Sequence, residues 1–554
     1  MHLTNLQKEI LEKKGFDLED EKQNKELEKF LNPVWSRDLL DSRNIKDIDK
    51  SVERIKKAID ENGKIIIYAD YDCDGIPGAV ILNDFFKKIN YENFSIYIPH
   101  RHNEGYGLNK NAIRKFIDEK YSLMITVDIG ITNIEEIRFA EENNINVIVT
   151  DHHLPILDEA GRQILPSSFS IINTKQDDDI YGEKYLCGAS TAWKLVNAFL
   201  DKYRNEFNVA EGWEKWLLDM VGIATIADLV PLVGENRLFA KYGLEVLKKS
   251  KRPGLQKILA NAKINQSKIN EDDIAFGIAP RINSASRMAD PIHAFRALLQ
   301  NEKSINYANE LERYNNVRKQ DTKDAHTSID YENLKSEKII LIGDANWTPG
   351  IIGLIASKVV ENTEKTTFVW GRGEDENILK GSVRAGSGGY NVVHIMTEAK
   401  GLLENFGGHE MAGGFAVHKN NLGKFEEFLK EYSDKNFSEN INLQTEENIL
   451  EEQFINLDLR DINKKLFDEI SIFAPFGIEN EKPIFKIRLK EGDSLRTKRF
   501  GKNFEHLEIL INDIRGIEFF SDKNREEELK NKKEFLINLE WDNFRDDIVM
   551  KFVE

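Results

Sequence analysis

Three short apolar runs each stop on an aspartate: Ile65-Ile66-Ile67-Tyr68-Ala69 before Asp70, Leu123-Met124-Ile125-Thr126-Val127 before Asp128, and Val147-Ile148-Val149-Thr150 before Asp151. Apolar runs this short, without polar alternation, are strands covered on both faces. Ser95–Pro99 reads as a further buried strand. Helical patterns lie between these runs: Pro77–Ile89 with proline in its first turn, Asn109–Glu119 and Ile134–Asn143. Strands alternating with helices specify a parallel sheet. Such sheets place their functional crevice outside the carboxyl ends of the strands.

That placement gathers Asp70, Asp72, Asp74, Asp128, Asp151, His152 and His153 at one crevice. Carboxylates packed together repel unless protons or cations neutralise them. Oxygen ligands with one or two imidazoles suit Mg²⁺ or Mn²⁺, the imidazole tilting the choice toward Mn²⁺. Two such ions about 4 Å apart form an arrangement that hydrolyses phosphate esters. Each aspartate alone reads better as the cap of a helix or turn, so the convergence of strand ends carries the metal reading. Asp70-Tyr71-Asp72-Cys73-Asp74-Gly75 opens like a calcium loop, but the required twelfth-position glutamate is Ile81. Cys73 has no local base and reads as a packed residue facing away from Asp72 and Asp74.

At 554 residues the chain has room for three to four domains of about 150 residues. The expected division is a helical segment 1–60, a parallel-sheet unit 61–300, a connecting helix 301–335, a smaller α/β unit 336–435 and a β-rich, barrel-like unit 443–554. The second α/β unit starts at the strand Lys338–Ile342 and holds two glycine-rich stretches, Gly381–Gly389 and Gly407–Gly414, read as loops. No apolar run approaches the roughly 18 residues of a membrane helix. Met1–Asp20 is charged throughout, unlike a signal peptide, and the two cysteines cannot build a disulfide framework. A reduced, cytoplasmic protein without a membrane partner is expected, and nothing demands more than a monomer. The net charge of −18 argues against binding nucleic acid over the whole surface, but leaves room for a local basic channel.

The motifs Asp70-Tyr-Asp-Cys-Asp-Gly75, Val127-Asp-Ile-Gly130, Thr150-Asp-His-His153 and Ala224-Thr-Ile-Ala-Asp-Leu-Val-Pro231 resemble, in order, those of the DHH phosphoesterase superfamily. Gly277-Ile-Ala-Pro-Arg-Ile-Asn-Ser-Ala-Ser-Arg287, Gly350-Ile-Ile-Gly353, Phe406-Gly-Gly-His-Glu-Met-Ala-Gly-Gly414 and Pro475-Phe-Gly-Ile-Glu-Asn-Glu-Lys-Pro483 narrow the resemblance to its RecJ family of single-strand-specific exonucleases. The resemblance implies a DHH domain, a DHH-associated domain and an OB-like C-terminal domain. It implies metal-dependent, 5′→3′ degradation of single-stranded DNA to 5′-mononucleotides in repair and recombination, beside a helicase and a single-strand-binding protein. Asp72, Asp74, Asp128, His152 and Asp228 match the positions that hold a pair of Mn²⁺ or Mg²⁺ ions, with Asp128 as the bridge and Asp70 supporting or ligating. His153 matches the contact to the scissile phosphate. Tyr68 stands where many superfamily members carry a metal-binding histidine, which shifts the first ion toward Asp70 and water. A further C-terminal domain carried by some relatives is not expected here.

The same resemblance puts Arg101, Arg281 and Arg287 along the DNA backbone or at its 5′ end, and Ser382, Arg384 and His409 on the phosphate side of the second unit. Arginine forks suit phosphate oxygens, and glycines let backbone N–H groups approach an anion. Residues 251–300 carry eight basic and four acidic residues. Residues 485–504 carry seven basic and two acidic residues with Phe485, Phe500 and Phe504 interleaved, a pattern of single-strand binding surfaces, although Phe485 reads equally as core. Two rival readings remain: a phosphodiesterase of very short oligonucleotides or cyclic dinucleotides, and a non-catalytic replication scaffold.

Overall fold

The structure, a computed structural model, describes residues 3–20, 23–436, 454–501, 504–519, 521, 524–542 and 545–553. The first unit is built on a five-stranded parallel sheet in the order Phe94–Tyr97, Lys64–Ala69, Tyr121–Val127, Asn146–Thr150, Ser170–Ile172. Alternate residues of Lys64–Ala69 serve opposite faces. Ile65, Ile67 and Ala69 join the core under the helices Ile48–Asp60, Gly75–Lys88 and Gly188–Tyr203, whereas Ile66 and Tyr68 pack toward Lys110–Asp118 and Ile134–Glu142. Ala69 lies beside Val127, so Asp70 and Asp128 emerge together at the carboxyl edge. The helices Leu218–Ala227 and Gly234–Leu247 extend the first core, and Asp228 caps the end of the former.

The connector is a helix Ser304–Ser328 followed by the short Tyr331–Leu334. It buries Ala308, Leu311 and Tyr314 in the first unit's core, anchors too sparse to stand out in a polar stretch. The second unit has a sheet in the order Leu403–His409, Ala412–His418, Ile378–Arg384, Thr367–Arg372, Ile340–Gly343, with the last pair parallel and the others antiparallel. Of the stretches read as glycine-rich loops, the first begins in the strand Ile378–Arg384 and is a loop only beyond it, and the second is largely strand, with Leu403–His409 and Ala412–His418 forming a hairpin. The glycines make room for cross-strand aromatics: a Cβ on Gly381 would meet the Phe415 ring at 2.1 Å.

The third unit is a seven-stranded sheet in the order Ile455–Leu457, Phe485–Arg488, Glu534–Asp542, Asp547–Phe552, Ile514–Glu518, His506–Ile511, Leu495–Phe500. The boundary expected at 443 falls outside the described residues. Its core includes Ile487, Leu507, Ile509, Phe535 and Met550 together with Ile10, Leu11, Phe30 and Leu31. The helices Asn5–Lys13 and Gln23–Leu31 thus complete a core contributed from the far end of the chain, while Ile48–Asp60 belongs to the first sheet. Leu11, fully buried, tests this arrangement. Leu11→Ala is expected to cost about 2–5 kcal/mol, read in thermal melting as early loss of the C-terminal unit. An unchanged melting profile would show that the N-terminal helices are not part of that core.

Candidate metal and phosphate site

The carboxylates at the sheet edge are held by backbone. Asp74 accepts from Gly188 N at 2.5 Å and Ala189 N at 2.7 Å, the amino end of the helix Gly188–Tyr203, where free N–H groups and the helix dipole favour an anion. Asp72 accepts from Asp74 N at 2.8 Å and Gly75 N at 3.1 Å. Asp128 sits at φ 61° against Gly188, whose Cβ, were there one, would lie 2.4 Å from that of Asp128. Glycine at 188 is therefore a condition for the strand end and the helix to meet.

Three sets of side chains bring ligand atoms within 4.8 Å of one another: Asp128, His152 and His153; Asp74, His152 and Asp228; and Asp70, Asp72 and Asp128. His152 Nε2 lies 3.1 Å from Asp128 Oδ1 and 3.6 Å from both Asp74 Oδ2 and Asp228 Oδ2. Burial and mutual repulsion raise the carboxyls. Asp74 reaches about 6 and Asp228 about 9, through burial first and then their acidic neighbours. Asp70 and Asp128 rise well above the carboxylate range for the same reasons. Burial lowers His152 to about 3, leaving it neutral with a free lone pair. Among the described residues, Asp70 Oδ1, Asp128 Oδ1 and both His152 ring nitrogens are buried without a hydrogen-bond partner. Unpartnered oxygens around a neutral imidazole fit hard divalent cations of the Mn²⁺ or Mg²⁺ kind.

Asp151 has a different place from the other aspartates. It accepts from Ile131 N at 2.8 Å, His152 N at 2.7 Å and His153 N at 3.1 Å, and its Oδ1 is 2.8 Å from His153 Nδ1. Burial opposes its charge, but the His153 hydrogen bond and charge hold it at about 2. Burial likewise opposes the His153 proton, and the Asp151 pair outweighs it, up to about 9. Asp151 thus fixes the ring and leaves Nε2 facing out, 3.5 Å from the Tyr106 hydroxyl.

A cationic group adjoins the carboxylates. Arg101 lies 5.0 Å over the Tyr71 ring. Arg287 donates to Gly350 O at 3.3 Å, and Arg384 to Ser382 Oγ at 3.1 Å. Burial lowers Arg287 to about 9, with Arg101, Arg318 and Arg384 adding like-charge repulsion. The structure therefore brings Arg101, Arg287, Ser382 and Arg384 together from two units. Arg281 is committed elsewhere, to Glu312 at 2.5 Å and Gly277 O at 2.7 Å. His409 is exposed at the end of its strand, and among the described residues no hydrogen bond or ion pair joins it to the carboxylates.

Tyr106 and the orienting role of Asp151 were not read from the sequence. Tyr106 had a signal: it stands between Gly105 and Gly107, at φ 81° and 102°, in the loop beyond Phe94–Tyr97.

Residues 64–225 match the DHH family N-terminal domain, 335–435 the DHHA1 domain and 455–552 the RecJ OB domain. A single-stranded-DNA-specific exonuclease RecJ of Bacillus subtilis is 33% identical over 523 residues, covering 92% of this chain and 62% of the relative. The chain is similar to RecJ along nearly its whole length. It spans about three-fifths of the length of that Bacillus relative. A RecJ of Thermus thermophilus is 29% identical, over 85% of this chain and 65% of its own. The crystal structure of a Thermus thermophilus RecJ in complex with Mn²⁺ superposes with a TM-score of 0.74 at 23% identity, covering all of this chain and 78% of that one. A second, exonuclease RecJ bound to manganese, gives 0.61 at 29% identity, over 71% of this chain and 95% of that one.

Tyr68 of this RecJ-like chain is fully buried. Its ring packs 5.1 Å from Tyr97 and its hydroxyl donates to Gly107 O at 3.3 Å, which places it behind the loop that presents Tyr106. The basic strip of the OB domain is largely compensated. Lys486 and Arg488 pair with Glu534, Lys490 with Asp458 and Arg499 with Glu526. Phe485 is core, Phe504 is 66% exposed, and Lys502 lies outside the described residues. The expected excess of positive charge on that face is therefore mostly absent.

Proposed function

We propose that this chain is a metal-dependent exonuclease that degrades single-stranded DNA from its 5′ end to 5′-mononucleotides. The observation that carries the reading is the buried Asp/His cluster lying beside a group of arginines drawn from two units. Asp72, Asp74, Asp128, His152 and Asp228 would hold two Mn²⁺ or Mg²⁺ ions, with Asp70 beside them. When bound, such a pair would polarise an attacking water and offset charge on the phosphate oxygens.

The chain's own residues supply the rest. His153, kept protonated at Nδ1 by Asp151, turns Nε2 toward the open side, where a phosphate oxygen can meet it. Arg101 and Arg287 from the first unit face Ser382 and Arg384 from the second, so a strand held by them runs in the cleft between the units. Paired, delocalised guanidinium groups suit phosphate oxygens. A cleft too narrow for duplex would account for single-strand selectivity. Work in repair and recombination beside a helicase and a single-strand-binding protein, as a cytoplasmic monomer, rests on the family resemblance alone.

Digestion of 5′-labelled and 3′-labelled single strands and a blunt duplex, with Mn²⁺, Mg²⁺ or EDTA, tests the reading. Immediate release of labelled mononucleotide from the 5′ end only, requiring metal and absent on duplex, is the expected result. Cleavage confined to dinucleotides would favour the small-substrate reading, and no cleavage of any substrate would favour the scaffold.

A further inference from the structure

Residues 475–483 stand out in the sequence and take no part in the chemistry above. They form a loop of the C-terminal unit, closed by reciprocal 3.0 Å hydrogen bonds between the backbones of Gly477 and Asn480. The buried Asn480 amide braces it, donating to Phe473 O at 2.9 Å and Pro475 O at 2.7 Å. The loop tip lies on the linker that follows Asp228. Leu232 N donates to Ile478 O at 2.8 Å. Gly477 is packed so closely that a Cβ there would stand 2.7 Å from Leu232 Cδ1 and 3.1 Å from Cγ. One turn on, Arg237, 1% exposed, donates to Phe473 O at 2.9 Å, Ala474 O at 3.1 Å and Pro475 O at 3.2 Å.

Asp228 is held unlike Asp72 and Asp74. Asp72 and Asp74 each accept two backbone N–H groups. Among the described residues no N–H group donates to the Asp228 carboxylate, and its side chain is 27% exposed. The backbone on either side sets its place. On one side is the end of the helix Leu218–Ala227; on the other is a short linker with Leu229 at φ 57°. The far end of that linker is fixed by the C-terminal unit.

We infer that residues 475–483 act as a positioning element for Asp228, through the contact of Gly477 and Ile478 with Leu232, so that the C-terminal unit sets the affinity of one metal position. This rests on the reading of Asp228 as a metal ligand. Residues that orient ligands, without binding the ion themselves, typically change metal affinity by about 10–100-fold when altered.

The test is Mn²⁺ titration of the full chain, by calorimetry and by the electron paramagnetic resonance of free Mn²⁺. Gly477→Ala is expected to weaken one of two ions about tenfold or more and leave the other unchanged, with fold checked by circular dichroism. Adding Leu232→Ala removes the atoms the new methyl would strike and is expected to restore the affinity. Asn480→Ala, which loosens the loop without adding an atom, should give the same selective loss should Gly477→Ala not fold. A wild-type chain that binds fewer than two ions would remove the metal reading and this inference with it. Two ions in wild type, with unchanged affinities in the folded variants, equal weakening of both ions, or no rescue by Leu232→Ala, would overturn this inference alone.

Discussion

Asp128→Asn is expected to stop hydrolysis and, in the same protein, to raise the melting temperature measured in EDTA. Asp128 belongs to two of the three ligand sets, and its Oδ1 lies 3.1 Å from His152 Nε2. Bound metal contributes several kcal/mol of transition-state charge stabilisation. At about 1.4 kcal/mol per tenfold, losing that contribution lowers turnover by about a thousandfold or more. The same carboxylate is buried, and Asp74, Asp72 and Asp70 repel its charge. In the fold that carboxyl must either bear a repelled charge or take up a proton, and an amide of the same shape does neither, so the metal-free variant is the more stable. Binding of a single strand in EDTA, followed by fluorescence anisotropy, should be nearly unchanged, because Arg101, Arg287 and Arg384 remain in place. Wild-type turnover in Asp128→Asn would remove the metal-pair reading.

Without metal, stability should fall as pH rises from 6.5 to 9. In the unfolded chain Asp228 is ionised across this range, its ordinary value being 3.8, whereas in the fold it holds a proton up to about 9. The folded state therefore binds the extra proton, and rising pH works against it. That single group tilts stability by about 1.4 kcal/mol per pH unit. His153, raised from 6.5 to about 9, acts in the same direction. Asp74, at about 6, has most of its effect below this window. His152, at about 3, is neutral in the fold and mostly neutral in the unfolded chain over most of this window, and Asp151, at about 2, is ionised in both. A cation bound at Asp228 would displace its proton, so the rise in melting temperature on adding Mn²⁺ should grow with pH. Melting curves at several pH values, with EDTA or Mn²⁺, read both trends. A flat metal-free profile would show that Asp228 does not hold its proton through this range.

The apolar runs ending on Asp70, Asp128 and Asp151 carried most of the first unit in the sequence. Strand periodicity and helix spacing are local, and a parallel sheet sends successive strand ends to one edge. The cluster of Asp70, Asp72, Asp74, Asp128, His152, His153 and Asp228 was legible for that reason, with the Asp228 motif added by resemblance. The separate task of Asp151 was not, because it depends on which N–H groups lie within reach. Arg281 and Arg287 share one motif and look alike in sequence, and only packing commits the former to Glu312 while leaving the latter beside Arg101 and Arg384. The basic strip at 485–504 shows the same limit, since Glu534 and Glu526 reach it from elsewhere in the chain.

What the sequence determined by itself was the alternation of elements, the chemistry at the strand ends and the family resemblance. What only the tertiary structure decided were the contacts between segments distant in sequence: the N-terminal helices completing the C-terminal core, Gly188 closing on Asp128, and residues 475–483 lying against Leu232 beyond Asp228. The first set follows from local backbone preference and periodic burial. The second follows from which apolar and polar surfaces meet once the chain has folded, and no local pattern records that.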